Sequence, residues 1–233
     1  MQAHARTKIK GCKAAVLAAL VALALSLLPM EAGADISERM VRAAWRDVSR
    51  IAEMDELPLE IKNDKVPNAW VTAGKSVTVT TGLMSLLQRE EEIFGVLSHE
   101  AGHAKLKHYE KRVNNAAGIG LLAAILGSAL DSSIGDVAVG VGANLATAGF
   151  SREQEVAADD FAVDLAFKGA KDPTGIYTAL ERLANYGGAS QPSGFNSHPP
   201  DERRLHHVKE RILASAPNTV FPKVEKPEKN GQR

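Results

Sequence analysis

His99, Glu100 and His103 stand in the order H-E-x-x-H inside Glu92–Ala104, a stretch without proline. Ile93, Val96, Leu97, Ala101 and Ala104 recur at three- and four-residue spacing, the period of a helix. On a helix the two histidines are one turn apart on one face, about 6 Å along the axis. Two imidazoles so placed can hold one zinc ion from the same side, and Glu100 beside the first can hold a water at the metal. The same few residues also occur as an ordinary exposed helix turn, so the rest of the chain must decide.

Two histidines leave a catalytic zinc site incomplete, because three protein ligands and one open position are the usual set. Glu155, within Ser151–Asp159, is the candidate third ligand. Asp159 is one turn further on and can fix a ligating ring by accepting its second N–H. From spacing alone, Glu153, Glu155, Asp159 and Asp160 read equally well as a solvated acidic face.

These residues need elements to carry them. Ser37–Met54 reads as an amphipathic helix with Met40, Val41, Ala44, Trp45, Val48 and Ile51 on its apolar side. Leu57–Ile61, Trp70–Thr72 and the β-branched, alternating Ser76–Thr80 read as strands of a small antiparallel sheet, with a turn at Ala73–Lys75. Gly82 is expected to end the sheet, and Leu83–Leu87 to start a short helix. Ser151 and Gln154 have capping-box spacing and open a helix to Lys168, which Gly169 ends. Pro173 opens another, to about Asn185. Tyr186–Asn196 reads as a loop, and Asp201–Ala214 as the last helix. Between the two acidic and histidine-bearing helices, Ala116–Leu130 and Val137–Phe150 are apolar and glycine-rich, each short for a straight membrane span. A buried or semi-buried helix pair is the first reading of 116–150. A cover beside the groove, or a peripheral contact with membrane or an envelope protein, stays open.

The chain has 233 residues with 28 basic and 28 acidic side chains, a length suited to one domain with a sizeable core. Arg6, Lys8, Lys10 and Lys13 precede an uncharged apolar run of 15 residues, Ala14–Leu28, and Ala32-Gly33-Ala34 offers a cleavage site. This is the layout of a secretory signal peptide, and the run falls short of the roughly 20 residues an uncleaved anchor needs. Residues 1–34 are therefore read as a signal peptide, 35–222 as one domain and 223–233 as a disordered tail. The expected location is outside the cytoplasmic membrane, in the periplasm if the source is Gram-negative. Cys12, the single cysteine, precedes the apolar run, so an exported chain has no disulfide and depends on its core. Loss of four basic residues and one acidic residue with 1–34 leaves 24 Lys+Arg against 27 Asp+Glu, a balance that gives no sign of a nucleic-acid partner.

Four segments in order carry a resemblance. They are Asn68-Ala69-Trp70 with Val79–Met84, Leu97–His103, Ser151-Arg152 with Glu155, Ala158 and Asp159, and Ser197–Arg203. Together they resemble the HtpX/Ste-type zinc metallopeptidases, peptidase family M forty-eight, over about Ser37–Val208. The resemblance implies an α+β, zincin-like metallopeptidase domain, mostly helical with one small sheet, over 35–222. It implies one Zn2+ per chain on His99, His103 and Glu155, with Glu100 as general base and Asp159 and Arg203 supporting the ligands from behind. His198 is implied near the metal, stabilising an oxyanion or taking the open coordination position. A polypeptide substrate is implied to lie extended on an edge strand at Asn68 and Ala69. His108, His206 and His207 match nothing in the pattern and read as surface residues. The short, glycine-broken 116–150 departs from the integral-membrane relatives and resembles a soluble, secreted branch. The implied function is a metalloendopeptidase acting on unfolded or misassembled envelope proteins. The alternative is a chaperone-like or scaffolding protein that uses the same groove with little proteolysis.

Overall fold

The computed structural model describes residues 36–72, 75–112, 114, 149–187, 198 and 200–225. The chain divides into two units, Met1–Ala34 and Asp35–Arg233, and every described residue belongs to the second. The readings of a signal peptide, of a turn at Ala73–Gly74, of 116–148 and of the tail beyond Glu225 fall outside the described residues.

Ser37 caps helix α1, Glu38–Ile51, by accepting the Met40 N–H at 3.3 Å. Val41, Trp45 and Val48 face inward at helical spacing, and the Trp45 indole N–H donates to Leu57 O at 2.8 Å. That bond ties α1 to strand β1, Leu59–Lys62. Strands β2, Ala69–Thr72, and β3, Ser76–Thr80, complete a sheet in the order β1-β3-β2.

The sheet is mixed, where the sequence suggested an antiparallel one: β3 runs antiparallel to β2 and parallel to β1. The chain leaves β1, passes the place of the central strand, and returns to it only after β2. The connection is pinned at Asp64, whose carbonyl accepts the Thr81 hydroxyl at 3.0 Å and the Gly82 N–H at 2.8 Å. Strand β3 has no wet face. As the central strand it is covered on both sides, and Thr78 and Thr80 are buried. The Thr80 hydroxyl accepts the Asn68 N–H at 2.9 Å and caps helix α2, Thr81–Leu86, by accepting the Leu83 N–H at 3.2 Å. Gly82 thus sits in the first turn of α2 and does not end the sheet.

Helix α3, Glu90–Lys105, runs through the middle and is buried at every residue from Glu92 to His103. Around it pack α1, β2, α4 (Arg152–Lys168) and α5 (Thr174–Gly187). Two glycines set how close the neighbours come. A β-carbon at Gly95 would stand 2.5 Å from the Ile176 nitrogen on α5, and one at Gly102 would stand 3.2 Å from the Ala158 α-carbon on α4. At the other end of α3, Glu92 accepts the Gln88 and Arg89 N–H groups at 2.8 and 3.2 Å and pairs with Arg182 Nε of α5 at 2.8 Å. Tyr186, expected in a loop, belongs to α5. Helix α6, Glu202–Ser215, is capped by Asp201, which accepts the Arg204 N–H at 2.8 Å. Its Val208 and Ile212 join Ala162, Val163, Ile176 and Leu180 in a core between α4, α5 and α6. Among the described residues no helix is long and apolar enough to cross a membrane.

Gly95→Ala forces a methyl group onto the Ile176 backbone. Overpacking of this kind costs about 1–3 kcal/mol. The urea midpoint is expected to fall with its slope unchanged; an unchanged midpoint would contradict the close crossing of α3 and α5.

Candidate metal centre

Helix α3 presents His99 and His103 to α4, and the narrow crossing at Gly102 and Ala158 lets Glu155 reach both. Glu155 Oε2 is 3.4 Å from His99 Nε2, and Oε1 is 3.5 Å from His103 Nε2. The two Nε2 atoms are 3.1 Å apart. His198 enters from the segment before α6, with Nδ1 3.3 Å from His99 Nε2 and 2.9 Å from Glu155 Oε1. All four residues are buried, and their donor atoms lie within 4.8 Å of one another. Donors bound about 2.0–2.1 Å from one tetrahedral zinc ion lie about 3.3 Å apart, so the set fits zinc in both donor type and spacing. The expected His99, His103 and Glu155 are brought together, and His198 joins the donor ring itself.

Behind the ring, Asp159 Oδ1 is 2.8 Å from His99 Nδ1. That contact leaves Nε2 of His99 facing the other donors. Asp159 also accepts from Arg204 Nε and Nη2 at 2.8 and 2.7 Å. Arg204 Nη1 donates to His198 O at 3.1 Å and lies 2.8 Å from Glu155 Oε2, the latter an ion pair without hydrogen-bond alignment. The supporting arginine is therefore Arg204, and Arg203 is exposed. Asp201 sets the phase of α6, and Arg204 falls on one stripe with the buried Val208 and Ile212. Arg203 is one residue, about 100°, away from that stripe. That i, i+4, i+8 pattern was present in the sequence and identifies the correct arginine.

His108 is a second correction. It is buried, with Nδ1 2.9 Å from His103 Nδ1. Phe150 stacks on the His103 ring at 4.0 Å between centroids. His207 is half-exposed and 2.8 Å from Asp160, remote from the donors, and His206 is exposed.

The electrostatics follow from burial and pairing. Burial disfavours a charged His99, but Asp159 and Glu155 outweigh it and pull its pKa up to about 9. Burial, with His99 and His198 alongside, drives His103 well below the ordinary histidine range. Burial would raise Glu155, yet His198 and His99 hold it far below the usual carboxylate range. Asp159, also buried, is held down chiefly by Arg204. Glu100 goes the other way: burial lifts its carboxyl against the pull of His198 and His99. Neither Glu100 oxygen has an aligned hydrogen bond; the Val71 N–H of β2 acts on it only weakly, and His198 Nε2 is 3.8 Å away.

Strand β2 is the edge of the sheet on this side. Asn68 bonds toward β3, since its carbonyl accepts the Thr80 N–H at 3.0 Å. By strand alternation, Ala69 and Val71 turn their backbone groups to the outer edge. The Ala69 side chain is fully buried, so that residue can offer only its backbone, and the Asn68 side-chain carbonyl oxygen is buried without a hydrogen-bond partner.

A buried helix bearing H-E-x-x-H, met by a glutamate and an aspartate from a second helix above one small sheet, defines a zincin-like metallopeptidase. Residues 35–212 match Peptidase family M48, and the chain belongs to that family. The family is zinc-dependent. Metalloprotease YcaL of Escherichia coli is 36% identical over 154 residues, which cover 63% of this chain and 59% of YcaL. Metalloprotease LoiP of the same organism is 32% identical over 154 residues, with the same shares. Mitochondrial metalloendopeptidase OMA1 of Schizosaccharomyces pombe is 27% identical over 176 residues, 73% of this chain and 51% of OMA1. The chain thus matches less than two thirds of the length of each of these relatives.

Arg204→Ala leaves Asp159 and Glu155 facing each other without a guanidinium. Losing such support lowers metal affinity about 10–100-fold, and breaking a buried pair costs roughly 3–5 kcal/mol of stability. In chelator competition Arg204→Ala is expected to show that loss, with Arg203→Ala close to wild type. Equal behaviour of the two variants would contradict the assignment.

Proposed function

We propose that the chain is a zinc metalloendopeptidase that cleaves extended, unfolded polypeptide. The observation that carries this reading is the convergence of His99, His103, Glu155 and His198 within 4.8 Å, beside a buried carboxylate with no aligned hydrogen bond. His99 and His103 would hold the metal through Nε2, and Glu155 through its carboxylate. When bound, zinc acidifies water and polarises the scissile carbonyl. Glu100 takes the proton as the bond to carbon forms and returns it to the leaving amine; its raised pKa suits both transfers. Asp159 fixes the His99 ring, and Arg204 offsets the charge of Asp159 and Glu155. The outward backbone groups of Ala69 and Val71 support strand addition by the substrate along β2, which would bring its carbonyl to the Glu100 side.

His198 bears on access. A catalytic zinc site keeps one position open, and in this conformation His198 Nδ1 stands among the donors. A His198 that ligated the metal would leave no position for water, which would support the second reading, a chaperone-like or scaffolding protein that holds unfolded chains on β2 and cleaves little.

The basic start, the apolar run and Ala32-Gly33-Ala34 support export, with the mature chain starting at Asp35. Outside the cytoplasmic membrane, unfolded or misassembled envelope proteins are the substrates we propose, in a quality-control role. The apolar composition of 116–150 supports a peripheral contact with membrane or an envelope protein.

Purified chain is incubated with unfolded casein, with and without a zinc chelator. Chelator-sensitive cleavage is expected. Glu100→Gln should keep zinc and lose about 10²–10⁴-fold in rate, because it removes the base and no ligand. Glu155→Ala should lose most of the zinc, because it removes a ligand. Wild-type chain that carries zinc and binds casein without cleaving it would favour the scaffold reading.

A further inference from the structure

His108 is buried, lies outside the donor set, and takes no part in the hydrolytic steps above. On an uninterrupted helix it would face away from His103, five residues and about 140° round the axis. The backbone does not continue that way. Helix α3 ends at Lys105, and Lys107 adopts φ 55°, the left-handed region. A separate helical turn follows at residues 108–112, with the Lys111 N–H on Lys107 O at 3.0 Å.

A left-handed residue other than glycine costs about 1–3 kcal/mol and persists only where its surroundings fix it. Here they do. The Gln154 side-chain N–H of α4 donates to His108 O at 3.3 Å, while Gln154 Oε1 accepts the Ser151 N–H at 2.9 Å. The strained turn is thereby fastened to the first turn of the helix that carries Glu155. Its result is the His108 ring against the His103 ring, Nδ1 to Nδ1 at 2.9 Å.

Two imidazole nitrogens at that distance share one proton. His103 Nε2 faces His99 Nε2 at 3.1 Å and Glu155 Oε1 at 3.5 Å. A metal held there takes the Nε2 lone pair and leaves the proton of His103 on Nδ1. His108 Nδ1 is then the acceptor, with its own proton on Nε2. We propose that His108 is a positioning residue: it orients His103 and fixes its metal-binding tautomer, as Asp159 does for His99. The inference rests on the reading of the four-donor group as a zinc site. A neutral acceptor suits this place, because Glu155 and Asp159 already share Arg204, and a third carboxylate beside the ring would add uncompensated charge.

The test uses the full chain with His108→Leu and His108→Asn. Asparagine Oδ1 can accept where Nδ1 does, and leucine cannot. Zinc affinity is measured by chelator competition, and folding by thermal melts. Loss of such a partner weakens metal binding about 10–100-fold; that is expected for His108→Leu, with His108→Asn within about threefold of wild type. Wild-type affinity in both variants, or equal loss in both with the fold intact, would overturn the inference. If His108→Leu does not fold, histidine nitrogen chemical shifts of zinc-loaded wild type decide. Protons on His103 Nδ1 and His108 Nε2 are expected; a proton on His103 Nε2 overturns it. Wild-type chain that takes up no zinc overturns the zinc-site reading and this inference together, which distinguishes that failure from the others.

Discussion

Arg204 is the charge on which the interior depends. Glu155 and Asp159 are both buried, and an ion taken out of water without a partner costs several kcal/mol. One guanidinium meets both: two hydrogen bonds to Asp159, an ion pair with Glu155, and a further bond to the His198 carbonyl. Its planar fork suits that task in a way a lysine ammonium would not. Asp159, so held, fixes His99; Glu155, beside the same guanidinium, is kept ionised chiefly by His198 and His99 and so able to ligate. Arg204 in turn stands where it does because Asp201 starts α6 at a fixed phase and Val208 and Ile212 seat the helix on α4 and α5.

The helix crossings complete the arrangement. Helix α3 is surrounded, so its polar residues cannot turn to solvent and must meet one another. Gly102 against Ala158 brings α4 near enough for Glu155 to reach two imidazoles on α3. The edge strand β2 runs beside the same helix, with Val71 near Glu100. Base, ligands and strand edge are thus fixed by core packing, and His198, itself buried, completes the donor group from outside α3 and α4.

Much of this was legible in the sequence because local signals and the fold agree. The caps at Ser37, Ser151 and Asp201 open helices where their side chains accept N–H groups. H-E-x-x-H falls on a helix, and Glu155 and Asp159 lie one turn apart on another. The failures have physical causes. Strand direction depends on where the chain crosses, and the pinning of Asp64 by Thr81 and Gly82 has no periodic signature. The alternation in Ser76–Thr80 marks a strand but not its place in the sheet: as the central strand it is covered on both faces. The motif match points to Arg203, although the stripe through Val208 and Ile212 favours Arg204. His108 matches nothing in the motif pattern and so reads as surface; regular helical spacing would also place it away from His103, and the left-handed Lys107 brings it back.

X-ray absorption at the zinc edge, on full chain loaded with zinc and dialysed, tests the central claim most directly. The account predicts one zinc per chain, a four-coordinate shell of nitrogen and oxygen at about 2.0–2.2 Å, and the outer-shell scattering of at least two imidazoles. A shell of six oxygens, a shell containing sulfur, or zinc that dialyses away would contradict it.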